Sequence, residues 1–247
     1  MPHPLTAKLL SSRSTGTVIV DLSNDLVPHD IASAYAIQNE TIAALGPVAA
    51  WKVAPMPAHG DPTCSPILQA NVYRNGAKLK RKDFPGLAIE AEVAVRLGRD
   101  LGDGSYRPSK ETVVAAIESL HVAIEIVASR YANRASVPAL AATADLQNAG
   151  GIVLGPPHAV PSLPEFSTLP LELKLGSDEI RVSQQSPSTE NALASIGWLA
   201  QHAFDRGLPL KAGVVIITGA RIGPLSFSAG EVEVASPELG TVRTEFS

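Results

Sequence analysis

Two glutamates separated by a single residue are the first sign of chemistry in the sequence. Residues 87–97 alternate between apolar and polar side chains, which is the pattern of a β-strand. Glu90 and Glu92 therefore project from one face, about 7 Å apart, beside small alanines. Like charges this close repel each other, so they need water, a nearby cation or a bound metal ion. A solvated strand face near Arg96 is the alternative to a metal site.

A third glutamate lies in a later apolar strand. The pattern from His121 to Ser129 predicts a strand in which Glu125 is the only acidic residue. A buried carboxylate is costly unless it is paired or bound to a metal. Glu125 could pair with Arg130 or Lys52, lie exposed at a sheet edge, or join the first two glutamates. Three carboxylates would suit a hard cation such as Mg²⁺ or Mn²⁺.

Three further positions carry polar or permissive residues that could serve a site. Lys52 lies in an apolar strand, where it either reaches solvent at an edge or acts beside the acids in proton transfer. Asp145 lies in a polar loop, where it could form a turn or take part in catalysis. Thr218 and Gly219 end a buried strand, where the glycine either lets a ligand approach the backbone or makes a bend.

The elements that must position these residues are short strands, a few helices and many Gly/Pro turns. Capping residues and apolar periodicity predict helices over 30–46, 109–120 and 191–206. The remaining patterns predict a strand at 48–53, an Asn-Gly hairpin at 71–79, a second hairpin at 171–183 and closing strands at 214–218, 231–235 and 241–246. This combination favours an α+β fold, a strand-dominated mixed β-roll or barrel with peripheral helices.

Composition narrows the classes of protein. The chain has 247 residues, 45% of them apolar, and a net charge of −4 without a basic block, which argues against binding to nucleic acid or anionic membranes. The single cysteine, Cys64, excludes an internal disulfide. The sequence shows no apolar leader and no membrane-spanning run, so we expect a soluble cytoplasmic protein.

Taken together, the motifs resemble the fumarylacetoacetate hydrolase superfamily, and within it the branch of 2-keto-4-pentenoate hydratases and 2-oxo-3-hexenedioate decarboxylases. The resemblance covers nearly the whole chain. It is strongest in the Glu-x-Glu segment 89–94 and in segment 123–130 around Glu125, with weaker matches at 143–145 and 217–220. The resemblance implies a short N-terminal helical region over 1–46 and a metal-binding β-roll catalytic domain over 47–247, in a protein that is usually a homo-oligomer.

The resemblance also implies roles for individual residues. In this family a divalent ion binds the carboxylate and keto oxygens of a 2-keto acid and stabilises an enolate. The corresponding metal ligands here would be Glu90, Glu92 and Glu125, with Mg²⁺ or Mn²⁺ as the cofactor. The catalytic residues would be Lys52 and Asp145, and the substrate contacts would be Asn148, Arg130, Thr218 and Gly219.

The reaction that the resemblance favours is hydration of small unsaturated 2-keto acids such as 2-keto-4-pentenoate, in the breakdown of aromatic compounds. Three alternatives stay open. The first is a 2-oxo-3-hexenedioate-type decarboxylase, because the segment Ser129-Arg130-Tyr131 is similar to that branch. Cys64, Gln147 and Asn148 replace residues typical of the family, so the chain could instead be a catalytically impaired partner that associates with a related decarboxylase or hydratase. The third alternative is an acylpyruvate-type hydrolase.

Overall fold

The computed structural model describes residues 2–159, 162–178, 180–183 and 186–247. These residues form five α-helices, which are α1 (Pro4–Thr15), α2 (Ile31–Leu45), α3 (Lys110–Ala116), α4 (Ala139–Ala144) and α5 (Thr189–Asp205). No helix within the described ranges is both long and apolar enough to cross a membrane.

Strands dominate the rest of the described chain. They are β1 (Val48–Val53), β2 (Cys64–Leu68), β3 (Val72–Arg74), β4 (Ala77–Leu79), β5 (Ala88–Leu97), β6 (Ile117–Val127), β7 (Ala149–Leu154), β8 (His158–Ala159), β9 (Glu172–Leu175), β10 (Arg181–Val182), β11 (Val215–Ile217), β12 (Ile222–Ser226), β13 (Gly230–Ser236) and β14 (Gly240–Phe246). The prediction of a strand-dominated α+β fold is confirmed.

The strands form two mixed sheets. The larger has nine strands in the order β2-β1-β11-β5-β6-β7-β3, with β12 also paired to β5 and β8 to β6. The smaller has five strands in the order β10-β9-β13-β14-β4. Most pairs are antiparallel, whereas β1–β11, β3–β7 and β4–β14 are parallel. The long strands β5 and β6 lie in the middle of the larger sheet, where they form its most extensive pairing.

The alternation predicted for β5 decides which of its side chains enter the main core. Ile89, Ala91, Val93 and Val95 are fully buried in the largest apolar cluster of the protein. Because successive side chains of a strand point to opposite faces, Glu90 and Glu92 face away from this cluster. Strand β6 is buried on both faces over its last nine residues. A glutamate within β6 is therefore removed from bulk water.

The N-terminal helices pack on the α4 segment that leads into the Asp145 loop. Helix α2 begins as predicted at Asp30, whose side chain accepts a 2.7 Å hydrogen bond from the Ser33 N–H in a capping box. Apolar residues of α1, α2 and α4 share one small core with Tyr131. These residues are Leu5, Leu9, Ala34, Ile37, Ala141 and Ala144. The division of the chain at residues 46 and 47 remains a prediction.

Two local predictions were wrong. The helix that begins after Ser109 ends at Ala116 rather than near Leu120, because the following residues pair with β5, starting with Ile117 opposite Leu97. The segment around Asn75-Gly76 turns, but it does not form a hairpin. Its two flanking strands join different sheets, since β3 pairs with β7 and β4 with β14.

The second predicted hairpin is present as β9 and β10, which pair antiparallel through Leu173–Arg181 and Glu172–Val182. Its predicted residue Glu179 lies outside the described residues. The helix predicted from Asn191 corresponds to α5, and the three closing strands correspond to β11, β13 and β14.

Replacing Ile124 with alanine tests whether β6 is as deeply buried as the fold requires. Ile124 is 0% exposed and precedes Glu125 in β6. We expect Ile124→Ala to lower the free energy of unfolding by about 2–5 kcal/mol, because it leaves a cavity in the core. Urea denaturation measures this change. The control Ile180→Ala removes a residue that is 54% exposed and should change stability little. Equal effects of the two substitutions would contradict the fold.

Candidate metal centre

Three glutamates converge on the face of the larger sheet that lies away from the main core. The antiparallel register of β5 and β6 puts Glu90 directly opposite Glu125, and Glu92 lies two residues further along β5. One carboxylate oxygen from each of the three lies within 4.8 Å of the others. Glu92 is 2% exposed, Glu125 is fully buried, and Glu90 is half-buried. The sequence prediction that these side chains face one another thus agrees with the geometry.

Lys52 contacts this cluster from β1. Its Nζ donates a hydrogen bond to Glu125 Oε1, and a second contact of 3.5 Å runs to the carbonyl oxygen of Gln147. The Lys52 side chain is 18% exposed. Of the pairings considered for Glu125 from the sequence, the structure shows the one with Lys52. The lysine is therefore not an edge residue that extends into solvent.

Burial and mutual repulsion shift the pKa values of the cluster. Burial and the charge of Glu125 raise the pKa of Glu90 to about 8, although Lys52 acts in the opposite direction. Burial, followed by the charges of Glu125 and Glu90, raises the pKa of Glu92 well above its usual value. Burial alone would lower the pKa of Lys52, but the neighbouring carboxylates outweigh it and the net shift is upward. Lys52 is thus protonated, but its single positive charge does not balance the three neighbouring carboxylates.

The donor set fits a hard divalent cation. Carboxylate oxygens are the ligands that Mg²⁺ and Mn²⁺ prefer. Glu125 Oε2 is buried and has no hydrogen-bond partner among the described residues. This oxygen therefore remains available to bind a metal ion. A bound cation would also remove the repulsion that raises the pKa of Glu90 and Glu92. The residues present therefore fit a divalent cation, and the metal site itself remains a prediction.

The end of β11 supports Glu92 from the other side. The Gly219 N–H donates a 2.8 Å hydrogen bond to Glu92 Oε2. Gly219 has a φ of +110°, which favours glycine, and an added Cβ would lie 3.0 Å from the Pro55 ring. The Thr218 hydroxyl donates to the Val93 carbonyl at 3.0 Å. Both residues thus fix the strand end that holds Glu92.

Asp145 binds two arginines, and none of its contacts among the described residues is with the three glutamates. Its fully buried carboxylate accepts hydrogen bonds from Arg130 Nε at 2.6 Å and from Arg13 Nη2 at 3.0 Å. The backbone N–H of Arg130 adds a 2.9 Å bond to the same carboxylate. This ion-pair cluster, Asp145 with Arg13 and Arg130, occupies both carboxylate oxygens.

The ion-pair cluster precedes a turn of unusual conformation. Leu146, Gln147 and Asn148 all have positive φ values, of 53°, 50° and 57°. Non-glycine residues adopt this region at an energetic cost, so surrounding contacts must hold it. The turn directs the Gln147 carbonyl at Lys52. Asn148 Oδ1 is buried and has no hydrogen-bond partner among the described residues. Asp145 and Lys52 are therefore linked through the backbone of this turn.

Sequence reasoning missed Arg221 and Arg13. Arg221 is buried close to Glu92, and the charge of Glu92 raises its pKa while burial, the larger effect, lowers it to about 10. Arg221 is the only charged residue between Thr218 and Ser226, and this isolation in an apolar stretch was the available signal. Arg13 gave no comparable signal, because it lies in the last turn of a short polar helix.

Cys64 lies in β2, where it pairs with Val53, the residue that follows Lys52 in β1. Its backbone N–H donates to the Tyr35 hydroxyl, and its thiol lies 3.9 Å from Arg206 Nη1. Burial raises the pKa of this thiol to about 12. The residue therefore remains a neutral thiol.

Comparison with known proteins identifies the family of the chain. The family model described as Fumarylacetoacetate (FAA) hydrolase C-terminal matches residues 22–247. The chain therefore belongs to this family, and the resemblance predicted from its motifs is confirmed.

Several relatives of the chain are hydratases. The 2-keto-4-pentenoate hydratase of Paraburkholderia xenovorans (strain LB400) is 31% identical over 160 residues, which cover 64% of this chain and 58% of that protein. The 2-hydroxyhexa-2,4-dienoate hydratase of Comamonas testosteroni is 27% identical over 179 residues, or 71% of this chain and 66% of that protein. A 2-keto-4-pentenoate hydratase of Paraburkholderia phymatum is 25% identical over 98% of this chain and 96% of its own length.

Solved structures share the fold. The 4-oxalocrotonate decarboxylase from Pseudomonas putida G7, complexed with magnesium and adipate, superposes with a TM-score of 0.84 at 21% identity. The match covers 98% of this chain and 96% of that one. The same enzyme complexed with calcium and acetate gives a TM-score of 0.81 at 20% identity. At this level of identity the likeness shows that the fold is shared.

Replacing Asp145 tests whether its carboxylate holds the structure together. In Asp145→Ala the buried side chain of Arg130 loses its partner, and we expect the free energy of unfolding to fall by about 3–5 kcal/mol. Urea denaturation measures the loss, and Asp21→Ala, at an exposed acidic residue, is the control. A fully stable Asp145→Ala protein that has lost turnover would instead assign Asp145 a direct role in catalysis.

The raised pKa of Glu90 predicts how stability depends on pH in the metal-free protein. Glu90 keeps its proton up to about pH 8 when folded but loses it near 4.5 when unfolded. The folded state then binds more protons, so the free energy of unfolding falls as pH rises from about 4.5 to 8. Denaturation across this range, with chelator present, measures the slope.

Two controls isolate the Glu90 contribution to this slope. Glu90→Gln should make it shallower, because the amide does not titrate, whereas the raised pKa of Glu92 leaves part of the slope. Saturating Mg²⁺ should also flatten it, because the metal favours the deprotonated carboxylates. An identical slope in the original protein and in Glu90→Gln would contradict the assigned pKa shift.

Proposed function

We propose that this protein is a divalent-metal-dependent lyase that hydrates small unsaturated 2-keto acids such as 2-keto-4-pentenoate. The observation that carries the proposal is the buried cluster of three glutamates with Lys52 in contact. The hydratase relatives support the reaction. Mg²⁺ is supported by the oxygen donors and by the magnesium complex of the structural neighbour, and Mn²⁺ by the same oxygen donors.

The three glutamates would hold the metal ion, and a bound Mg²⁺ or Mn²⁺ would supply Lewis-acid stabilisation of negative charge on the oxygens of the keto acid. The half-buried Glu90 lies at the more exposed side of the cluster, whereas Glu92 and Glu125 are enclosed. Substrate would therefore approach from the Glu90 side. The enclosed carboxylates limit access of water to the charges that develop during the reaction.

Lys52 would move the proton. Hydration adds a proton to one carbon of a conjugated double bond and a hydroxyl group to the other, so a proton donor must stand beside the substrate. Lys52 Nζ is protonated because of its carboxylate neighbours, and it is oriented by Glu125 Oε1 and the Gln147 carbonyl. The ammonium group also favours the negative charge that forms on the substrate.

The remaining predicted site residues divide into two groups. Asp145, Arg130, Thr218 and Gly219 all use their polar groups on protein partners, so we propose that they position the site. Asn148 has a buried Oδ1 without a hydrogen-bond partner in the described part of the chain, and we propose that it contacts the substrate. This division follows from which polar atoms have protein partners.

Other reactions of 2-keto acids could use the same groups. Loss of CO₂ from a 2-keto-3-enedioic acid also passes through an enolate and needs a proton at carbon, so a decarboxylase is the second candidate. A panel of 2-keto-enoic acids and acylpyruvates, assayed by absorbance with Mg²⁺ or Mn²⁺, separates hydratase, decarboxylase and hydrolase by their products. Inactivity across the panel would favour a catalytically impaired assembly partner. A homo-oligomeric cytoplasmic protein that binds neither nucleic acid nor membrane remains our expectation.

Replacing Lys52 tests the proton-transfer role. We expect Lys52→Met to lower kcat on 2-hydroxypenta-2,4-dienoate by about 100-fold or more, the usual contribution of a positioned acid or base. Lys174→Met, at an exposed lysine of β9, is the control and should retain full turnover.

Treatment with a chelator should abolish activity in the unchanged protein, and added Mg²⁺ should restore it. Full turnover by the chelator-treated protein would overturn the metal-dependent mechanism.

A further inference from the structure

A cavity with a volume of about 630 Å³ lies at the C-terminal end of α1. It is lined by the last turn of this helix, by Arg130 and by the segments around Tyr73, Phe84 and Gly150. Neither the three glutamates nor Lys52 is among its described lining residues. The cavity is therefore distinct from the metal centre.

Two largely buried guanidinium groups at this cavity share one carboxylate. Arg13 and Arg130 both line it, and both donate to Asp145, Arg13 from Nη2 at 3.0 Å and Arg130 from Nε at 2.6 Å. The single carboxylate of Asp145 balances only one of the two positive charges. Lys82 and Asp83 also line the cavity, but they are exposed and carry opposite charges. The described lining residues, together with Asp145, thus carry one positive charge in excess.

Arg13 is the residue at which a counter-ion is missing. Burial, followed by the charge of Arg130, lowers the pKa of Arg13 to about 10, although Asp145 acts in the opposite direction. Arg13 is therefore still protonated at neutral pH. Its Nε and the hydroxyl oxygen of Ser12 are buried and have no hydrogen-bond partner within the described ranges. Because an unpaired buried charge is costly, the cavity wall at these two residues favours an anion.

The end of α1 supplies only part of the missing negative charge. Carbonyl groups at a helix C-terminus carry a partial negative charge, which favours Arg13 in the last turn. The Ser11 carbonyl already accepts hydrogen bonds from the hydroxyls of Ser14 and Thr15, and the Ser12 carbonyl accepts one from the Gly16 N–H. A ligand in the cavity can still reach Arg13, because 15% of its side-chain surface is exposed.

Much of the remaining lining is apolar or aromatic. The residues that provide it are Leu45, Leu68, Tyr73, Phe84 and Pro85. Apolar surface that a ligand buries against these side chains is removed from water, which favours binding. The lining therefore combines a positive charge with an apolar surface, which suits an organic anion better than an inorganic one.

We propose that this cavity is a ligand site for a small organic acid, separate from the metal centre. The carboxylate of the ligand supplies the missing negative charge at Arg13, and its apolar part packs against the side chains of Leu68 and Phe84. The inference is independent of the proposed function, because no proposed metal ligand lines the cavity.

Binding of simple aromatic probes tests this site without turnover. Benzoate and benzamide share a ring and differ in charge, whereas acetate keeps the carboxylate and lacks the ring. With chelator present, calorimetry should show binding of benzoate at least about 10-fold tighter than that of benzamide, as expected for hydrogen bonds between charged groups. Acetate should also bind at least about 10-fold more weakly than benzoate, because it buries less apolar surface.

Substitution of Arg13 assigns the binding to the cavity. Arg13→Met should reduce the affinity for benzoate to that for benzamide, and Arg13→Lys should retain part of the difference. The control Arg99→Met removes an exposed positive charge that does not line the cavity and should leave the affinity unchanged. Thermal denaturation checks that each variant is folded.

A crystal soaked with 4-iodobenzoate locates the ligand even if Arg13→Met does not fold, because iodine gives an anomalous signal. The peak should lie inside the cavity. No peak there, equal affinity for benzoate and benzamide or for benzoate and acetate, unchanged benzoate binding in folded Arg13→Met, or benzoate binding that requires Mg²⁺ would each overturn the inference. These outcomes leave the metal-dependent hydration untouched, since the chelator experiment on turnover decides it separately.

Discussion

The pairing of β5 with β6 imposes the constraint from which the site follows. Its register sets Glu90 opposite Glu125 and leaves Glu92 on the same face, so three carboxylates share a region largely closed to water. Three negative charges cannot remain there uncompensated, and Lys52 supplies only one positive charge. The upward pKa shifts of Glu90 and Glu92 express this deficit. A divalent cation removes it, so the metal-binding proposal follows from electrostatics as well as from family membership.

The rest of the protein keeps this arrangement in place. Gly219 holds Glu92, and the turn at residues 146–148 holds Lys52 through the Gln147 carbonyl. This turn follows directly after Asp145, which is held in place by arginines from α1 and from the segment after β6. Gln38 of α2 adds a 2.6 Å hydrogen bond to the Thr143 carbonyl just before this turn. The N-terminal helices therefore contribute to the geometry of the site, although they carry no predicted metal ligand.

Much of the site could be read from the sequence because strand periodicity is a local property. Alternation in 87–97 fixed the shared face of Glu90 and Glu92, and the isolation of Glu125 and Lys52 in apolar strands marked both as unusual. Long-range partners could not be read in the same way. The sequence around Asp145 does not indicate that Arg13 approaches it from the other end of the chain, because that contact depends on how α1 packs.

The two wrong predictions about the fold also arise from long-range contacts. Asn75-Gly76 was a good turn signal, but which sheet each flanking strand joins depends on distant strands, and β4 pairs with β14 at the end of the chain. The helix after Ser109 gave way to β6 because pairing with β5 outweighs local helix propensity. Arg221 was overlooked because a single arginine near a strand end has no periodic signal, and its burial beside Glu92 depends on the packing of distant segments.

The central claim is that the three glutamates bind one divalent cation. Anomalous diffraction from a crystal soaked with Mn²⁺ tests it most directly, because the manganese signal locates the ion independently of the protein model. The account predicts a single strong peak in contact with oxygens of Glu90, Glu92 and Glu125, with Lys52 close by. A fully soaked crystal without a peak among these carboxylates, or with the ion bound elsewhere, would contradict it.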